Sequence, residues 1–253
     1  MRFASIGSGS RGNGTLVQDG PTSLLIDLGF TIRETERRLA RMGLDPQEIS
    51  AILVTHEHSD HLNGVGPFSR KYNVPVYMTP GTFHPDRLGF LPDLRLINCH
   101  EPFHINALEI VPVPVPHDAR EPCQYLISND RHRLGVLTDL GHVTPHVLEQ
   151  YNLCHGLLVE SNHDPEMLAQ GSYPYPLKVR VGGDHGHLSN RQTAELLAQI
   201  DLSVLQHLII AHVSQQNNCL TKIETEITGV LGNWNGAFTI ADQESGFDWI
   251  TLV

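Results

Sequence analysis

Residues 55–61 read THEHSDH and follow directly on the apolar run AILV, so a buried strand gives way to histidines and carboxylates. Side chains two apart in extended chain point the same way, and His56 and His58 therefore converge on one position. Asp60 and His61 come after the turn and point elsewhere, which suits a second ion close by. Neutral imidazole and carboxylate are the donors that zinc, manganese or iron accept. The stretch has no cysteine, which argues against a closed structural zinc site. The chemistry of such a set is metal coordination.

The elements that carry these residues are short apolar strands alternating with helical patterns. TSLLIDLG (22–29), AILVT (51–55) and NVPVYMT (73–79) read as buried strands. TIRETERRLARMG (31–43) reads as a helix with Ile32, Leu39 and Met42 on one face and Gly43 as its stop. INALEIVPVPVP (105–116) alternates apolar and polar, and its prolines suit an edge strand. QYLI (124–127), RLGVLTD (133–139), GLLVE (156–160) and QHLIIAH (206–212) extend the strand series. NRQTAELLAQI (190–200) and a closing CLTKIETEITGVLG (219–232) are helices. This alternation predicts an α/β sandwich with helices outside two sheets. Nothing marks an internal boundary, so residues 1–253 are expected to form one domain.

With 40% hydrophobic and 18% charged residues, the 253-residue chain has the composition of a soluble globular protein. No apolar run approaches the roughly 20 residues of a membrane span. The glycine-rich start MRFASIGSGSRGNG leaves no room for a secretory signal. Cys99, Cys123, Cys154 and Cys219 form no CxxC pair and read as thiols of a reducing cytosol, so a cytoplasmic location is expected. The net charge of −11 argues against a surface that grips nucleic acid everywhere. It leaves room for a local cationic site and for bound divalent ions. The 16 histidines nearly match the 17 lysines and arginines combined.

HEHSDH resembles the HxHxDH signature of the metallo-β-lactamase fold. Further residues of that family's pattern lie downstream in order: His117 after VPVPVP, Asp139 in TDLGH and His212 in AHVSQQNN. The resemblance covers essentially the whole chain. It implies a four-layer αβ/βα sandwich with two mixed sheets and two divalent ions at their edge. On that pattern His56, His58 and His117 hold one ion, Asp60, His61 and His212 the other, and Asp139 bridges them. Zinc or manganese fits these ligands, as does iron. Such ions lower the pKa of a bound water until it attacks as hydroxide near neutral pH, and they polarise the group attacked.

The surroundings of the ligands discriminate between branches. Thioesterases and lactonases of this fold carry the third histidine in a GHTPG-like turn, whereas His117 stands in HDAREPCQY. AHVSQQNN is similar to the HxS segment of ribonuclease Z and ribonuclease J. SIGSGSRGNGT (5–15), ESNHDPEML (160–168) and GSYPYPLKVRVGGDHGHLSN (171–190) resemble the small bacterial YycJ/WalJ-type exonucleases. That group acts 5′-to-3′ on DNA. Glu160 and His187 match a glutamate and a histidine that help to protonate the leaving oxygen in ribonuclease Z. Glu160 alternatively orients a ligand histidine.

Other residues are open to two readings. The loop from Gly7 to Asn13 either offers backbone N–H groups and Arg11 to a phosphate or makes a tight hairpin. Lys178 and Arg180 either meet a phosphate or sit on a solvated strand edge. Ser189 and Asn190 read as the N-cap of the next helix. His142, His163 and His185 adjoin the motifs and are candidates for the rim.

The resulting expectation is a dinuclear metal-dependent phosphodiesterase, a nuclease on DNA or RNA ends, with DNA favoured, and no membrane partner. Asp60, Glu160 and His187 are its expected catalytic residues. The rivals are an ester, thioester or lactone hydrolase on the same metals, and a non-catalytic scaffold.

Overall fold

The computed structural model describes all 253 residues. Its strands are β1 (Arg2–Gly7), β2 (Gly14–Asp19), β3 (Thr22–Ile26), β4 (Ala51–Leu53), β5 (Val76–Met78), β6 (Leu94–Leu96) and β7 (Phe103–Ile105). They continue with β8 (Leu108–Pro114), β9 (Cys123–Ser128), β10 (Arg133–Leu137), β11 (Gly156–Glu160), β12 (His207–Ala211), β13 (Ala237–Ile240) and β14 (Phe247–Thr251). Two mixed seven-stranded sheets result, ordered β14-β1-β2-β3-β4-β5-β6 and β13-β12-β11-β10-β9-β8-β7. The helices are α1 (Ile32–Arg41), α2 (Ser59–Leu62), α3 (Val65–Tyr72), α4 (Pro85–Leu88) and α5 (Pro145–Gln150). They are followed by α6 (Pro165–Gln170), α7 (Tyr175–Val181), α8 (Asn190–Leu197) and α9 (Leu220–Leu231).

The chain divides into two compact units. The first holds residues 1–114, 119–130 and 242–253, and the second holds 115–118 and 131–241. In the first, β3, β4 and β5 run parallel and are apolar on both faces, as strands covered on both sides must be. Its core gathers Leu25, Ile52, Val54, Leu39 and Phe68, all wholly buried. The α1 helix starts at Thr31, whose hydroxyl accepts from Glu34 N, and stops before Gly43 at φ 71°. In the second unit β10, β11, β12 and β13 are parallel, with Leu158 facing Val136 and Ile209 in register. Each parallel strand delivers its carboxyl end to a loop, and the polar residues gather there.

Three sequence-based expectations change. YPLKVRV is helix α7, not a strand edge. Pro174 at its N-cap and Pro176 in its first turn preorganise the helical φ, and this overrides the Lys/Val/Arg/Val alternation that mimics a strand. The 219–232 helix does not close the fold, because β13 and β14 follow it. β8 lies between β7 and β9 rather than at the sheet edge. Its pairing with β7 ends at Ile110, so Pro112 and Pro114 lie where no partner needs their missing N–H on that side.

Candidate metal centre

In the first unit the HEHSDH motif rests on a buried floor. Asp27, just beyond β3, is buried at φ 60°. Its carboxylate accepts from Thr55 N and from Thr55 Oγ1, each at 2.8 Å, and lies 2.8 Å from His61 Nδ1. A carboxylate can only accept, so His61 carries its proton on Nδ1 and turns Nε2 into the ring's acceptor. Thr55 Oγ1 donates to Asp27, so it accepts from His56 Nδ1 at 2.9 Å and fixes the same tautomer there. Sequence reasoning did not assign Asp27 to the site. The available signal was an aspartate directly after the apolar run SLLI.

His58 is the last extended residue before α2, and the turn into that helix carries Asp60 and His61, the His61 ring lying 4.1 Å from that of His56. His56 Nε2 and His58 Nδ1 face each other at 3.0 Å. Two nitrogens sharing one tetrahedral ion at 2.0–2.1 Å sit about 3.3 Å apart, so the pair is spaced as ligands of a common ion. His61 Nε2 and Asp60 Oδ2 are 3.4 Å apart. The four side chains of the motif thus form two donor pairs.

The glycine-rich loop supports this motif rather than standing open as a phosphate cradle. Gly9 N donates to Asn13 Oδ1, Arg11 N to Gln243 Oε1 and Gly12 N to the Gly9 carbonyl. Arg11 pairs with Glu244 at 2.6 Å. Asn13 then reaches Asp60 Oδ2 at 3.2 Å and His61 Nε2 at 3.0 Å. Gly29 lies so close that a Cβ there would stand 1.9 Å from the Asp60 carbonyl oxygen, so only glycine fits.

The second unit carries the remaining candidates. His117 Nδ1 lies 3.0 Å from the Gly186 carbonyl, which places its proton on Nδ1 and its lone pair on Nε2. Asp139 and His212 follow β10 and β12 and both adopt left-handed backbone, at φ 55° and 51°. Such conformations are costly for residues other than glycine and cluster at functional sites. Asp139, Glu160, His187 and His212 bring ligand-type atoms within 4.8 Å of one another. His212 Nδ1 stands 3.3 Å from Asp139 Oδ1 and 3.5 Å from Glu160 Oε2.

Glu160 ends β11 and is 0% exposed. One oxygen accepts from Leu140 N at 2.9 Å and Leu188 N at 3.0 Å, and the other lies 3.0 Å from His187 Nδ1. Burial opposes its charge most strongly. The charge and hydrogen bonds of His187 and His212 outweigh that and hold the carboxyl below the ordinary carboxylate range. His187 is 20% exposed, so it connects this buried anion to the outside. The same oxygen of Glu160 thus faces both His187 and His212. Ser189 caps α8 with a reciprocal Gln192 contact, as expected. His163 is buried, and desolvation pulls its pKa down to about 4.

The donor chemistry of both half-sets suits divalent ions. Residues 22–213 match the model of the beta-lactamase superfamily domain. The chain is a member of the beta-lactamase superfamily. It is 34% identical over 235 residues to "Exodeoxyribonuclease YycJ" of Bacillus anthracis, covering 91% of this chain and 89% of that protein. It is 32% identical over 224 residues to "Exodeoxyribonuclease WalJ" of Streptococcus pneumoniae serotype 2, covering 86% and 83%. The structure of the metallo-beta-lactamase fold protein YhfI from Bacillus subtilis matches with a TM-score of 0.75 at 16% identity over 98% of each chain. The superfamily fold, an αβ/βα sandwich of two mixed sheets, is therefore this chain's fold. Members of the superfamily with this donor set are metal-dependent hydrolases, and the clusters here are of the kind that holds their ions. No helix is long and apolar enough to cross a membrane.

Proposed function

We propose that the protein is a two-metal nuclease that removes nucleotides from DNA ends, in the manner named for its YycJ and WalJ relatives. In this reading His56, His58 and His117 hold one ion, Asp60, His61 and His212 the second, and Asp139 both. Bound there, zinc or manganese would supply an activated water and positive charge at the phosphate. Residues 1–253 act as one catalytic domain. The four free thiols fit a reducing cytoplasm.

The observation that carries the reading is the Glu160–His187 pair at 3.0 Å. Hydrolysis of a phosphodiester expels an alkoxide, which needs a proton, whereas a thiolate leaves without one. Buried Glu160 holds and orients the His187 ring, and partly exposed His187 hands a proton to the departing sugar oxygen. Asp27, Thr55 and Gly186 keep His61, His56 and His117 in the tautomer whose Nε2 faces an ion. Asp60 serves in catalysis as a ligand of the second ion.

The test is direct. Protein loaded with Mn²⁺ or Zn²⁺ is given 5′-phosphorylated single- and double-stranded DNA, RNA, lactones and thioesters, with Asp60→Ala and an EDTA-treated sample alongside. Mononucleotide release from DNA that is lost in both controls is the expected result. Ester cleavage without nucleic-acid cleavage overturns the nuclease. Full activity in Asp60→Ala overturns the two-metal scheme.

A further inference from the structure

A recess of about 470 Å³ opens in the second unit between α6 and α7, and the expected function leaves it without a role. Leu168 and Pro165 form its apolar wall on one side, and Tyr175 and Val179 on the other. Tyr175 and Val179 are four residues apart and share a face of α7, yet they are 78% and 54% exposed. Large apolar side chains displayed together on one helix face mark a binding surface. At the floor stands His163, only 3% exposed, whose Nδ1 meets no hydrogen-bond partner in the protein. A buried polar atom left in this way favours a ligand that completes it.

Two further features limit what the ligand can be. Lys178 lines the rim and donates to a neutral carbonyl, that of Ala169, at 2.7 Å. Its charge stays available to an anion on a chain whose net charge is −11. The recess is also tied through the backbone to the segment that carries His187. His163 pairs through its backbone with Ser189, two residues beyond His187, and the His187 N–H donates to the Val181 carbonyl at the end of α7. Aromatic face, apolar wall, one imidazole and one cation together suit a nucleotide unit, a flat π-system joined to a phosphate.

We propose that this recess is a nucleobase subsite: Tyr175 stacks on a base of the bound strand, His163 provides the polar contact at its floor, and Lys178 meets the adjoining phosphate. The proposal rests on the nucleolytic reading and adds how a compact acidic protein grips a strand. Stacking is indifferent to base identity, so the subsite serves cleavage without sequence preference.

The experiment uses Mn²⁺-loaded protein and a 5′-phosphorylated single-stranded oligonucleotide whose phosphorothioate linkages block cleavage. A fluorescent 2-aminopurine is walked along the strand in a series of substrates. The expected result is quenching at one position, a loss of affinity of at least fivefold in Tyr175→Ala, and wild-type quenching in Tyr175→Phe. An abasic nucleotide at the quenched position should weaken binding to a similar extent. Tyr175 is exposed, so its truncation leaves the fold intact. If wild-type protein binds the strand and Tyr175→Ala or the abasic substitution changes nothing, the subsite is overturned and the nuclease stands. If wild-type protein neither binds this strand nor cleaves the unblocked one, the nuclease reading falls and the subsite with it.

Discussion

Asp27 Oδ2 lies 2.8 Å from His61 Nδ1, and this buried contact decides which nitrogen of the ring is left as an acceptor. Asp27 contributes no ligand atom in the proposed scheme, yet it also anchors Thr55 and through it His56. Removing such a partner of a ligand histidine typically lowers metal affinity about 10–100-fold. Asp27→Ala is expected to weaken zinc binding by that amount in competition with a chromophoric chelator. Unchanged affinity would assign Asp27 a purely structural role.

Glu160 and His187 separate by leaving group. His187→Ala should lower the rate on DNA by about 10²–10⁴-fold, the usual range for a general acid. It should lose far less on thymidine 5′-p-nitrophenyl phosphate, whose phenolate leaves without a proton. Glu160→Gln should show the same pattern together with weaker metal binding, because Glu160 also touches His212. Equal losses on both substrates would remove the proton-donor role.

His163 sets a pH dependence on stability. Its folded pKa of about 4 lies below the ordinary 6.5, so the unfolded chain takes up the proton first. Stability is complete above pH 6.5 and falls as pH drops towards 4. At pH 5 the loss from this group is about 2 kcal/mol. Urea unfolding of metal-free protein at pH 7.5 and pH 5 should show it, and His163→Gln should make the fall shallower by a similar amount. An identical pH dependence in the variant would contradict the assignment.

Thiol reactivity should be confined to one position. Burial pushes the Cys123 and Cys154 thiols up to about 12 and raises Cys99, whereas Cys219 is exposed. Iodoacetamide at pH 8 should add one carbamidomethyl group to native protein, at Cys219 by mass spectrometry. In guanidinium all four cysteines should react.

The sequence displayed the proposed ligands because strand ends concentrate them: an apolar run that stops at histidine or aspartate is visible without a structure. His56, Asp139 and His212 have that context, and so does Glu160, a carboxylate outside the proposed ligand set. Asp27 has it too, but its partners are Thr55 and His61, distant in sequence, and no local pattern connects them. Helix α7 was misread for a local reason, since β-branched Val179 and Val181 alternate with Lys178 and Arg180 at strand period. Strands β1 and β2 form the tight hairpin that is one of the two readings of the glycine-rich stretch, whereas β13 and β14 follow what reads as a terminal helix. Of these only β14 pairs across the chain, with β1, which periodicity cannot show; β13 pairs with β12.

The turn at 242–246 has a consequence for how the protein can be switched off. Gln243 holds the Arg11 amide at 3.1 Å, and the same glycine-rich loop carries Asn13 to Asp60 at 3.2 Å. Damage to the carboxyl-terminal tail should therefore be felt at the metal-binding motif. Trimming the chain back to Ile240 would remove this turn together with strand β14, the neighbour of β1, so lower metal binding is expected although every proposed ligand stays in the chain.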